Sequence, residues 1–68
     1  MGNVARVTEI SAMSATSFED AVKVGIARAS ATLRNVTSAW IKEQRVEVRD
    51  GEISGYQVNM LVTFILDD

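Results

Sequence analysis

The most regular pattern in the chain lies near its C-terminal end, where Tyr56, Val58, Met60, Val62, Phe64 and Leu66 alternate with Gln57, Asn59, Leu61, Thr63 and Ile65. A period of two is that of an extended strand, whose successive side chains point to opposite faces. A strand is therefore expected over residues 53–66, with the apolar even row turned to a core. Asp50-Gly51 just upstream is a strong hairpin signal, because a type I′ turn needs positive φ at both central residues. The stretch 36–49 is rich in β-branched residues and alternating charges without helical spacing, which predicts a long strand leading into that turn. Its apolar positions change parity, from Ala39 and Ile41 to Val46 and Val48. The buried side is thus expected to switch near Gln44, through a bulge, a strong twist or a change of packing partner.

The first half of the chain has a different rhythm. Phe18, Val22, Ile26, Ala29 and Leu33 follow one another at helical spacing, with Glu19, Lys23, Ser30 and Arg34 on the other side. Ser14 and Ser17 are both N-cap candidates, and Ser17 has Asp20 three residues on, as in a capping box. Glu19 and Asp20 then fall in the first turn and Arg34 in the last, as the helix dipole favours, with Asn35 as terminator. Gly25 within the helix is expected to permit close packing. Val4, Val7, Thr8 and Ile10 mark a first strand over residues 4–11, and residues 12–17 read as a small, polar connection. The fold class is α+β, with element order β-α-β-β and a three-stranded antiparallel sheet packed on one helix.

Composition changes this picture in one respect. At 68 residues, without proline, repeat or low-complexity tract, the chain reads as a single domain over 1–68. A domain of this size buries only about 60% of the surface its unfolded chain exposes. With no Cys and no His, disulfides are excluded and a zinc site is not expected, so self-association is the remaining source of stability. A net charge of -2 without a basic run argues against a nucleic-acid partner. No apolar run is long enough to span a bilayer or form a signal-peptide core, so no membrane partner and a cytoplasmic location are expected. The usual acid-base and nucleophilic residues are missing, and no catalytic residue is assigned. Glu43 and Glu47, interleaved with Arg45 and Arg49, read as a solvated ladder of cross-strand ion pairs. The glycines form no phosphate-binding loop. Asp67 and Asp68 alone are a poor cation site and read as a frayed tail; no metal ligand is assigned.

One helix covers one face of such a sheet, which leaves the other face to be explained. On the third strand that face carries Gln57, Asn59, Leu61, Thr63 and Ile65, neither cleanly polar nor cleanly apolar, as expected of a surface that something partly covers. If Ala39 and Ile41 face the helix, Trp40 does not. An indole outside its own subunit's core serves either as an interface anchor, the commoner role, or as a stacking platform for a planar ligand. Gln57 offers a donor and an acceptor side by side, suited to the edge of a heterocycle, although a solvated strand residue is the plainer reading.

Over essentially its whole length the sequence resembles the dodecins. The matching strings are Arg6-Val7-Thr8-Glu9-Ile10, Ile26-Ala27-Arg28-Ala29 through Thr32-Leu33-Arg34-Asn35, Asp50-Gly51, and Tyr56-Gln57-Val58 running on to Phe64-Ile65-Leu66-Asp67-Asp68. The resemblance implies a homododecamer in the form of a hollow shell, and a non-enzymatic protein that stores or sequesters a flavin, riboflavin or FMN, between subunits. It implies that a strand tryptophan stacks on the isoalloxazine and a glutamine bonds its pyrimidine edge. The glutamine falls on Gln57, and an arginine near the ligand falls on Arg45. The usual tryptophan position is Ser38, whereas this chain has Trp40 two residues on, a shift of about 7 Å. Ile65 stands where bacterial members often carry an arginine for the FMN phosphate, and Ala12 replaces a common glycine. The expected cofactor-binding residues are therefore Gln57, Trp40, Arg45 and Ser38. The alternative is a structural dodecin-like assembly with weak or no flavin binding, associated with calcium as some family members are.

Overall fold

The structure is a computed structural model that describes residues 2–66. Four elements follow in the order β1 (Ala5–Ser14), α1 (Phe18–Thr32), β2 (Val36–Arg49) and β3 (Glu52–Ile65). The sheet has the strand order β1-β3-β2, and both pairings are antiparallel. The last strand is thus the central one. The expected α+β, β-α-β-β arrangement is the one observed. Among the described residues no helix is long and apolar enough to cross a membrane. Asp67 and Asp68 lie outside the described residues.

The hairpin forms as its turn residues dictate, with Asp50 at φ 52° and Gly51 at φ 79°. At the end of α1, Asn35 takes a left-handed φ of 62° and its carbonyl accepts from the Ile65 amide at 3.1 Å, which ties the helix exit to the end of β3. Ser17 is the N-cap, accepting from the Asp20 amide at 3.0 Å. Ser14 is not a cap. It ends β1, and its hydroxyl donates to Asp20 Oδ2 at 2.6 Å. That bond occupies the carboxylate that a reciprocal capping box would have turned toward Ser17. Phe18 meets Tyr56 edge-on, with ring centroids 5.1 Å apart.

Three expectations need correction. β1 runs three residues past its expected end, because Ala12, Met13 and Ser14 pair with Val58, Gln57 and Tyr56 on the long β3. The helix stops at Thr32, so its last turn carries no basic residue and Arg34 lies beyond it. The deepest helical stripe is Ala21, Gly25 and Ala29, with Phe18, Val22, Ile26 and Leu33 packed around it and only partly buried. Small side chains mark the line where helix and sheet approach most closely. A Cβ at Gly25 would stand 2.5 Å from Met60 Cε and 2.9 Å from Ala12 Cβ, which is why glycine occupies that position.

The even row of β3 does face the helix, and Val58, Met60 and Val62 are fully buried there. With Ala12, Ala21 and Ala29 they make up the buried core among the described residues. That is a small core. The radius of gyration is 14.1 Å, against about 11 Å for a compact chain of this length. The excess reflects a molecule 53 Å long and 13 Å thick, with Val48 and Ile53 exposed near the end of the hairpin.

Candidate functional site: the open face of the sheet

Register decides what the face away from the helix carries. Opposed residues on neighbouring strands point the same way, so the odd row of β3 gathers its partners into tiers. Thr63 lies between Val7 and Ser38, Leu61 between Glu9 and Trp40, Asn59 between Ser11 and Glu43, and Gln57 between Met13 and Arg45. The tiers can form because β2 shifts register between Val36 and Ser38 and again between Ile41 and Glu43. At the second shift Lys42 is the extra residue. This bulge is the expected change of buried side, placed two residues before Gln44. It lets Trp40 and Ile41 follow one parity and Glu43, Gln44 and Arg45 the other.

A chain of hydrogen bonds runs along the polar tiers. Arg45 Nε donates to Gln57 Oε1 at 3.0 Å, Gln57 Nε2 to Asn59 Oδ1 at 3.2 Å, and Asn59 Nδ2 to Glu43 Oε1 at 3.1 Å. Ser11 also donates to Asn59 Oδ1, at 2.6 Å. The Gln57 amide is thereby fixed between Arg45 and Asn59 with one lone pair and one N–H still available. Glu43, Gln44, Arg45, Gln57 and Asn59 line a shallow concavity here. Arg45 pairs with Glu47 along its own strand at 3.4 Å, and Glu43 goes to Asn59. The expected ladder of cross-strand ion pairs is therefore replaced by one same-strand pair and an amide relay, because Glu47 faces Gly55 across the sheet. Nearer Trp40, Lys42 crosses the face to Glu9 Oε2 at 3.2 Å.

Trp40 itself is 60% exposed on this face. Ser38 lies on the same face beside Thr63, whose hydroxyl oxygen is buried without a hydrogen-bond partner. Of the four residues singled out in the sequence, Arg45 and Gln57 are brought into contact. Trp40 is opposite Leu61, four positions along β3 from Gln57, which is about 13 Å. Ser38 is a tier further away. Sequence reasoning missed the relay through Asn59, Glu43 and Ser11 and the Lys42–Glu9 pair. Only the three-strand register places those residues together.

The result is a small α+β domain with a helix on one face of its sheet, a thin core and an open face that carries an exposed indole and an ordered amide row. The chain belongs to the dodecin family, whose model matches residues 4–67. It is similar to a dodecin from Streptomyces davaonensis, with 38% identity, complete coverage of both chains and a TM-score of 0.94. It also resembles the tt0972 protein from Thermus thermophilus, with 31% identity, 98% coverage of each chain and a TM-score of 0.93. A calcium chelating immunodominant antigen, calcium dodecin, from Mycobacterium tuberculosis matches at 29% identity over 94% of this chain and 91% of that one, with a TM-score of 0.82. No curated protein matches the chain.

Proposed function

We propose that this protein is a dodecin that stores or sequesters flavin, riboflavin or FMN, between subunits of a dodecameric shell. The observation that carries the reading is Trp40, held 60% exposed on the same face as the Gln57 amide. In this reading Trp40 supplies the stacking surface, Gln57 uses its free lone pair and N–H on the pyrimidine edge, and Arg45 orients Gln57 from behind. Ser38 and the unpartnered Thr63 hydroxyl line the far end, where a buried polar atom calls for a partner. A separation of about 13 Å between Trp40 and Gln57 within one chain makes the stack and the edge contacts come from different copies. A second reading, a shell that binds flavin weakly or not at all, is favoured by Ser38 at the usual stacking position, with Trp40 then packing copies together.

Titrating riboflavin into the purified assembly while following flavin fluorescence separates the two. Flavin binding predicts strong quenching, weaker binding with brighter bound flavin in Trp40→Ala, and a loss of about 0.5 to 1.5 kcal/mol in Gln57→Ala. In the structural reading Trp40→Ala instead lowers the thermal stability of the assembly and leaves flavin affinity unchanged. Absence of quenching at tens of micromolar wild-type protein sinks the flavin reading, and sedimentation of the same sample as a folded monomer sinks the shell.

A further inference from the structure

We infer that the open face selects flavins without a phosphate, riboflavin over its phosphate ester FMN. The inference rests on the flavin reading above and concerns which ligand that site takes. Its basis is the charge laid out by the register. The open face of one chain carries Glu9, Glu43, Glu47 and Glu52 against Lys42, Arg45 and Arg49. Two of the cations are engaged, Lys42 with Glu9 at 3.2 Å and Arg45 with Glu47 at 3.4 Å and with Gln57, while Arg49 stands across from Glu52 at the hairpin end, far along β2 from Trp40. The bulge at Lys42 causes part of this, since it puts the lysine within reach of Glu9 and turns the adjacent Glu43 to the same face.

A ring stacked on Trp40 lies on the tier of Glu9, two strand spacings or about 10 Å across the sheet. That is about one Debye length at ~0.1 M salt, so the carboxylates of this face act on a charged ligand chiefly at low ionic strength. A phosphate monoester brings a charge of roughly -1.5 to -2 at neutral pH. On this face it meets four carboxylates against three cations, of which Lys42, the one nearest Trp40 along β2, is already held by Glu9, and repeated copies of a chain of net charge -2 add to the repulsion. Riboflavin, which is neutral and carries only hydroxyls on its side chain, meets none of that cost.

The test is a pair of fluorescence titrations on the intact assembly, with riboflavin and with FMN, at low and at high salt. Riboflavin should bind roughly tenfold more tightly at low salt, and the gap should narrow as salt screens the face. In Glu9→Gln, which removes a carboxylate and releases Lys42, FMN affinity should rise several-fold, and riboflavin affinity should change less. FMN binding as tightly as riboflavin in low salt overturns the selectivity and leaves the flavin reading intact. A gap that salt does not alter overturns its electrostatic origin. Quenching of neither ligand overturns the selectivity together with the flavin reading.

Discussion

Gly25→Val is expected to prevent the helix from closing on the sheet. The new Cβ would stand 2.5 Å from Met60 Cε and 2.9 Å from Ala12 Cβ, and the branched methyls of valine add volume beyond it. Met60 Cε ends a flexible side chain and can swing aside, but Ala12 Cβ moves only with the backbone of β1. Overpacking of this kind costs roughly 1 to 3 kcal/mol and sometimes more, which exceeds the few tenths that valine gains over glycine in helix propensity. A domain of this length has only a few kcal/mol of stability in total. The variant should therefore show a fall of many degrees in thermal midpoint, or failure to assemble, in a melt followed by circular dichroism. An unchanged midpoint would mean that the helix does not approach the sheet at Gly25.

Met60→Ala is expected to be as damaging for the opposite reason. Met60 is fully buried in the middle of β3 and is the largest wholly enclosed side chain among the described residues. Truncating it removes apolar contacts and leaves a cavity beneath Gly25, at a typical cost of about 2 to 5 kcal/mol per subunit. Because the two residues share one space, their effects should not add: Gly25→Ala should be better tolerated in the Met60→Ala background than in the wild type. Denaturant melts of the four proteins measure this coupling, and strict additivity would contradict the contact.

The parts of the fold visible in the sequence were those governed by local rules. The Asp50-Gly51 turn, the even row of β3 and the Ser17 cap each depend on a few neighbouring residues. Features set by distant pairing were harder to read. Met13 and Ser14 look like a connection until β3 is seen to be long enough to pair with them. The helix stripe Phe18, Val22, Ile26, Ala29 and Leu33 does pack on the core, but of these only Ala29 lies on the line of closest approach, which Ala21 and Gly25 complete; large aliphatic residues draw the eye away from such small ones. At the site, Trp40 and Gln57 are legible by parity, whereas Arg45 enters only through the resemblance to the dodecins. The bulge was visible only as an anomaly, because Lys42 is a charged residue among charged residues and nothing local marks it as the extra one. Asn59 and Glu9 acquire roles only across strands.

The placement of β3 between two strands that precede it governs the moment at which folding can begin. During synthesis β1 and β2 leave the ribosome before either has a neighbour to pair with, and the pairing of Ala5 with Ile65 spans almost the whole chain. The hairpin of β2 and β3 closes locally and fast, whereas docking β1 must overcome the entropy of a long loop, so β1 joins last. Folding accordingly waits until β3 has left the ribosome. Ribosome-stalled chains that stop before β3 should be cleaved freely by protease throughout residues 5–49, and protection there would show a folded intermediate formed without the central strand.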